Sequence, residues 1–229
     1  MRAKISIIIP TLNAASSLPG VIETLMEGLH AGIIRELIIS DGGSEDATLK
    51  IADAAGAEIV QGPPSRGGQL RRGCAAAKGQ WLLVLHADTH LERGWAEEVS
   101  NHLSFAQGAA YFRLRFRARG VMPALVAGWA NLRARLFRLP YGDQGLLIRA
   151  TDYAKVGGFA DQPLMEDVAL MRALRRAGVD LTALPIDAIT SAERYQKAGW
   201  LRRGSRNLWT LARYFAGVSP DRLADGYRR

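Results

Sequence analysis

Cysteine is almost missing from this chain: Cys74 is the only one in 229 residues. No intramolecular disulfide can form, so nothing marks a stapled secreted scaffold. Long apolar runs are missing too. The run at residues 5–9 is too short for the core of a signal peptide, and no small-residue cleavage pattern follows it. No stretch approaches the roughly 20 apolar residues that a membrane-spanning helix needs. These absences predict a cytoplasmic protein, with any membrane contact peripheral. Internal repeats and low-complexity tracts are also lacking, which excludes solenoids and disordered linkers.

Acidic residues are outnumbered. Asp and Glu total 22 against 30 Lys and Arg, a formal net charge of +8. Such a balance suits a phosphate-bearing ligand, an anionic membrane surface or nucleic acid, and it also suits a merely solvated basic surface. Charge alone does not choose among them. The remaining composition is ordinary for a globular protein, with 48% hydrophobic and 23% charged residues. The length suits one α/β domain, or one domain with a small appendage.

Residues 5–9 read as a strand buried on both faces and ended by Pro10. Leu18, Val21, Ile22, Leu25 and Leu29 follow at helical spacing, with Ser16 or Ser17 as cap and Pro19 in the first turn. Residues 36–40 read as a second strand running into the turn-rich loop 41–44, where Ser44 can cap a helix reaching about residue 55. Residues 58–61 read as a third strand. The loop 62–68 leads to a helix over 69–78, and residues 81–85 form a fourth apolar strand. Alternating strands and helices predict a mostly parallel, doubly wound sheet flanked by helices. In such sheets ligands sit beyond the carboxyl ends of the strands. Asn13, the 41–44 loop and Asp88 therefore share one rim.

The second half is less regular. Residues 109–118 alternate apolar side chains with arginines, as a half-exposed strand does. Residues 121–139 are amphipathic. A short strand spans 145–149, after the loop 141–144. Residues 165–177 read as a helix with acids first and arginines last, which complements the helix dipole. A final amphipathic segment covers 200–215.

Two carboxylates on one rim, Asp41 and Asp88, suit two tasks. One can accept from a base or ribose, and the other can hold a hard cation that bridges a diphosphate. Each could instead cap the next helix. The order of motifs goes further. Ser-Ile-Ile-Ile-Pro-Thr-Leu-Asn-Ala at 6–14, Asp-Gly-Gly-Ser-Glu-Asp-Ala-Thr at 41–48 and Leu-His-Ala-Asp at 85–88 resemble the successive motifs of family 2 glycosyltransferases. Tyr-Gly-Asp-Gln-Gly at 141–145 and Leu-Met-Glu-Asp-Val-Ala-Leu at 164–170 extend the likeness to a small bacterial subgroup. It covers nearly the whole chain and weakens after about residue 194.

The resemblance implies a GT-A-like, Rossmann-like catalytic domain over 1–194 and a basic amphipathic tail over 195–229. It implies a nucleotide-diphospho-sugar donor, a UDP-sugar by preference, held by Pro10, Thr11, Asn13, Asp41, Gly42, Ser44, Arg66, Gln69 and Asp88. Asp41 would accept from the base edge, and Arg66, in its glycine-rich loop, would reach a phosphate. The family's Asp-x-Asp metal motif reads His86-Ala87-Asp88 here, which leaves Asp88 to hold Mg²⁺ or Mn²⁺. His86 then has a structural or donor role. Inverting transfer needs a base for the acceptor hydroxyl; Asp167 matches it, with Glu166 as alternative or support. Asp143 and Gln144 fall on the acceptor side.

The acceptor is not legible. The basic aromatic segment 195–214, and 121–138 with it, suit an anionic membrane surface, packing on the domain, or a homodimer seam. A lipid acceptor goes with the first. No nucleic-acid partner is expected. Two other classes compete. A nucleotidyltransferase of similar sheet usually has a basic, glycine-rich loop after its first strand, where this chain has Pro10-Thr11-Leu12-Asn13. A non-enzymatic binder of anionic surfaces accounts for the charge and leaves the rim acids unexplained.

Overall fold

The computed structural model describes residues 4–105 and 108–228. Residues 1–3 and 229, at the ends of the two expected segments, lie outside the described residues.

β1 (Ile5–Thr11) and β4 (Trp81–Val84) are apolar on both faces because each lies between two helical layers. β2 (Ile34–Asp41) and β3 (Glu58–Gln61) complete a parallel run ordered β3-β2-β1-β4. Successive side chains point to opposite faces. Ile5, Ile7 and Ile9 enter one core and Ile8 the other. The register sets Thr11 beside Asp41 and Ile8 beside both Ile38 and Val84, so three strand ends share a rim.

Among the described residues the sheet has eight strands, and its second half is mixed. β7 (Leu146–Arg149) runs antiparallel to β4, with Leu146 opposite Val84. β6 (Ala109–Phe116) is antiparallel to β7 and parallel to β8 (Leu181–Thr190), which pairs antiparallel with the short β5 (His90–Leu91). The ends of β6 and β8 and the start of β7 therefore join the same rim. The mostly parallel expectation holds across the first four strands and gives way beyond them. β6 alternates as expected, with Arg113 and Arg115 exposed and both paired to Asp187 of β8 at 3.1 and 3.0 Å.

α1 (Leu18–His30) and α4 (Trp95–Phe105) cover one face of the sheet through Leu18, Val21, Leu25 and Trp95. α3 (Arg66–Ala76) and α7 (Glu166–Arg176) cover the other through Leu70, Leu170 and Met171. A Cβ on Gly73 of α3 would lie 2.6 Å from the Ile8 methyl, so only glycine allows this helix so near β1. Two expected caps are corrected. Ser17 precedes α1 but its hydroxyl donates back to the Ala14 carbonyl at 3.3 Å. α2 (Thr48–Ala54) has its first N–H accepted by Asp46 at 2.9 Å, because Ser44 is engaged elsewhere. α3 begins at Arg66 rather than Gln69, capped by Ser65.

α5 (Val121–Phe137) and α6 (Ala150–Lys155) connect the later strands, and α8 (Glu193–Ala198) follows the last of them. α9 (Trp200–Phe215) matches the expected final segment, and α10 (Pro220–Arg228) follows it. α10 folds back onto the domain: Leu223 and Ala224 are buried with Leu164, Met165 and Val168 at the start of α7.

Candidate active site

The β1 and β2 ends are joined by hydrogen bonds that consume the Asp41 carboxylate. One oxygen accepts from the Thr11 hydroxyl at 2.8 Å and the Ser44 hydroxyl at 2.5 Å, and the other from the Gly43 and Ser44 N–H groups at 2.8 and 2.7 Å. Burial raises this carboxyl's pKa, but the hydrogen bonds outweigh it and the net shift is downward. Asp41 is fully buried. Its expected contact with a base edge is thus corrected: Asp41 shapes the loop and presents no lone pair to the cleft. Ser44 likewise accepts from the Asn13 N–H at 2.8 Å, and Asn13 in turn accepts from the Glu45 N–H at 2.9 Å. Asn13 adopts φ 51°, a conformation Asn tolerates better than most residues. Gln69 is buried and donates to the Thr11 and Ser40 carbonyls at 2.7 and 3.1 Å, locking both strand tips together.

A cavity of about 690 Å³ opens above these tips. Pro10, Thr11, Asn13, Arg66, Gln69 and Asp88 line it. Asp41, Gly42 and Ser44 stand behind its wall and do not line it.

Arg66 is the pivot of the site. The sequence places it in a loop, but it occupies the first turn of α3, with its Nε 2.7 Å from Glu166 Oε1 and its Nη2 2.8 Å from His86 Nε2. A guanidinium only donates, so His86 Nε2 accepts and the ring proton sits on Nδ1. Burial, and then the Arg66 charge, push His86 well below its ordinary pKa, so the ring is neutral. His86 is therefore structural, as an acceptor rather than a donor.

Beside the large cleft lies a smaller pocket of about 120 Å³. Arg66, His86, Asp88, Leu164, Ser191, Arg194 and Tyr227 border both. Its floor is acidic. Glu166 is 1% exposed, and its second carboxylate oxygen has no hydrogen-bond partner. Burial pushes this carboxyl up to about 7, against the pull of Arg66. Asp167 is half-buried and accepts from the Gly142 N–H at 2.9 Å. Asp143 also faces the pocket, with one buried oxygen unpartnered; burial raises it to about 6, with Arg133 opposing. Met165, just before the Glu–Asp pair, holds φ 64°, a left-handed backbone state that a non-glycine residue adopts at a cost.

Gln144 was expected on the acceptor side and is not there. It is fully buried, donating to the Phe112 carbonyl at 3.2 Å and the Asn131 side chain at 3.3 Å. It holds the 3₁₀ turn Gly142–Gln144, and with it the Gly142 N–H, in place. The structure also adds residues that sequence reasoning missed. Arg194 follows the end of β8, and Arg117 follows β6; both line the large cleft. Arg203 and Asn207, four apart on one face of α9, line the smaller pocket with Tyr227. The Tyr227 hydroxyl accepts from Arg203 at 2.5 Å and donates to Asn207 at 2.9 Å.

No group of three or more His, Cys, Asp or Glu side chains arranged for a metal exists among the described residues. His86 has its Nε2 committed to Arg66. The chain thus offers Asp88 alone at the junction of the two cavities. One carboxylate fits Mg²⁺ or Mn²⁺, which take their remaining ligands from substrate phosphates and water, and does not fit a closed structural site.

Residues 6–133, more than half of the chain, match the profile described as glycosyl transferase family 2. The chain belongs to that family. A PGL/p-HBAD biosynthesis glycosyltransferase of Mycobacterium tuberculosis is 38% identical over 93 residues, covering 38% of this chain and 36% of the relative. A glucosyl-3-phosphoglycerate synthase of Mycolicibacterium smegmatis is 33% identical over 93 residues, covering 37% and 30%. The chain thus spans about a third of the length of these curated relatives. The crystal structure of glucosyl-3-phosphoglycerate synthase from Mycobacterium tuberculosis with Mn²⁺, UDP and phosphoglyceric acid is similar at a TM-score of 0.59 and 24% identity, covering 82% of this chain and 69% of that one. Staphylococcus aureus TarS 1–349 is similar at 0.60 and 13%, covering 82% and 57%. The fold of this family 2 chain is the GT-A glycosyltransferase fold.

Proposed function

We propose that this family 2 chain is an inverting glycosyltransferase that moves a sugar from a nucleotide-diphosphate donor, UDP-sugar by preference, onto an acceptor hydroxyl. The observation that carries the reading is the junction of the two cavities. A cleft of nucleotide size at the strand tips meets, at Arg66 and Asp88, a small pocket floored by Glu166 and Asp167. Cofactor and ligand sites of about 300–1,000 Å³ are typical, and the larger cavity falls within that range. UDP in the similar glucosyl-3-phosphoglycerate synthase structure supports the choice of base.

The acceptor hydroxyl sits in the smaller pocket and attacks the anomeric carbon from the face opposite the diphosphate. The new carbon–oxygen bond forms as the bond to the diphosphate oxygen breaks, and the nucleoside diphosphate leaves with the electron pair. Asp167 takes the hydroxyl proton. Glu166 is the weaker candidate for base, because one oxygen is held by Arg66 and the side chain is almost fully enclosed. Its role is to hold Arg66 at the junction. Arg194 and Arg117 place positive charge beside the diphosphate. A divalent cation held by Asp88 and the donor phosphates would supply further charge neutralisation of the leaving group. Residues 1–194 make the catalytic domain in this reading. The 195–229 tail completes the acceptor wall through Arg203, Asn207 and Tyr227.

Calorimetry with UDP, GDP and CDP, with and without Mn²⁺, tests the donor half. Turnover of UDP-sugars, hydrolysis included, tests the chemistry. Asp167→Asn is expected to lower turnover by about 10²–10⁴-fold with UDP affinity unchanged. Near-normal turnover in that variant removes Asp167 as the base.

A further inference from the structure

Two helices expose apolar surface that the fold does not use. α5 presents Val121, Leu125, Trp129, Leu132 and Leu136 to solvent, each between 46% and 73% exposed. Their spacing puts them on one stripe of the helix, about 22 Å long at ~1.5 Å per residue. The other side of α5 is spent on the domain, where Ala127 and Ala130 are buried with Leu114 and Phe116 of β6. α9 packs beside α5 and is divided in the same way. Arg203 and Asn207 face the smaller pocket and Thr210 is buried, while Leu201 and Trp209 are 73% and 67% exposed.

Neither α5 nor α9 contains an acidic residue. Their charges are all arginine, among them the exposed Arg135 and Arg202; the exposed Arg119 and Arg138 flank α5, and Arg138 lies 3.6 Å from the exposed Asp180 carboxylate. This pattern chooses the occupant. Two copies meeting through the same face would set cations against cations. An anionic bilayer satisfies both features, taking the apolar side chains at the acyl boundary and the arginines at the headgroups. No helix among the described residues is long and apolar enough to cross a membrane, so the contact lies in the interfacial plane.

We infer that α5 and α9 form an interfacial docking face for anionic membranes. Because α9 also supplies a wall of the smaller pocket, docking holds that pocket near the headgroup layer. That second step rests on the proposed function and makes the acceptor a hydroxyl borne by a membrane lipid.

Vesicle flotation tests the docking with the whole chain. The protein is expected to float with phosphatidylcholine vesicles containing about a quarter phosphatidylglycerol at ~0.05 M salt, and to be released toward ~0.5 M salt. It should not float with phosphatidylcholine alone. Trp129→Glu combined with Trp209→Glu is expected to lower the bound fraction about tenfold or more, with UDP binding by calorimetry unchanged as the control for folding. Three results overturn the inference: no flotation of the unaltered chain, flotation indifferent to the two substitutions, or a dimer in light scattering that those substitutions dissociate while vesicles stay unbound. Vesicle binding without UDP binding would sink the proposed activity and leave the docking intact; UDP binding without vesicle binding would do the reverse.

Discussion

The Arg66–Glu166 pair is asymmetric, and that asymmetry is measurable. Glu166 is enclosed and pairs with the Arg66 Nε at 2.7 Å; Arg66 keeps 34% of its side chain in solvent and holds His86 as well. Arg66→Met leaves a buried carboxyl without its cation, which costs about 2–3 kcal/mol at pH ~8, less than a stranded ion because the carboxyl takes up a proton. Glu166→Gln leaves a guanidinium that water can still reach, and costs about 1 kcal/mol. The difference depends on pH. Glu166 rises from an ordinary 4.5 to about 7 in the folded chain. Between those values the folded state holds a proton that the unfolded state has released, so stability falls as pH rises through that window. Arg66→Met removes the opposing charge and carries the carboxyl higher still. Its cost should therefore be about 1 kcal/mol near pH ~5, where Glu166 is protonated in parent and variant alike, and about 1.4 kcal/mol larger at pH ~8, where only the parent has ionised. The double variant Arg66→Met with Glu166→Gln should recover most of the loss at pH ~8. Urea unfolding followed by tryptophan fluorescence at both pH values measures all of this. Equal costs for the two single variants, or an Arg66→Met cost that ignores pH, would refute the reasoning.

The other acids give sharper contrasts. Asp143 is raised by burial from 3.8 to about 6, so its charge weakens the fold as pH rises through that range; Asp143→Asn should be more stable than the parent by about 1–3 kcal/mol at pH ~7 and equal to it near pH ~4. A variant with no such gain at pH ~7 contradicts the burial cost. Asp41 is lowered, so its contribution is present above its unfolded value of 3.8 and is lost as pH falls through the lower folded one. Asp41→Ala leaves the Gly43 and Ser44 N–H groups unmatched and should cost about 3 kcal/mol in thermal unfolding, whereas Asp41→Asn can accept from both and donate to the Thr11 and Ser44 hydroxyl oxygens, and should cost about 1 kcal/mol. Asp88→Asn should remove any strengthening of UDP binding by Mn²⁺, a loss of about tenfold or more by calorimetry, with metal-free UDP affinity kept.

The first half of the fold was legible because its strands are short, continuous and closed by turn residues. Buried strands of a parallel sheet have no alternation to mislead, and the helices between them carry apolar residues on one face. The second half broke those rules in specific places. β8 was not read as a strand because Pro185 interrupts it. In the sheet Pro185 falls where the β6–β8 register shifts between Tyr111 and Arg113, an irregularity that spares the missing N–H. β5 is only two residues long and has no pattern to detect. With β8 unread, nothing marked Arg194 as a residue at a strand end, so a cation of the cleft went unnoticed.

At the site, residue type and strand-end position were legible, but the direction of each side chain was not. Asp41 and Asp88 follow strands in the same way, yet one spends its lone pairs on four hydrogen bonds in its own loop while the other borders both cavities. The difference lies in the partners. Asp41 is followed by Gly43 and Ser44, whose N–H groups turn back on it, and it faces Thr11 across the sheet. Gln144 and Asp143 divide likewise: adjacent in sequence, one binds the Phe112 carbonyl from inside the core and the other leaves an oxygen free at the pocket. Glu166 and Asp167 repeat the split at the head of α7, where successive helical residues point about 100° apart. Glu166 turns inward to Arg66, and Asp167 turns toward the Gly142 loop. In each case one side chain is held inside the fold and the other borders a cavity, and the direction of the backbone, which residue type does not encode, decides which is which.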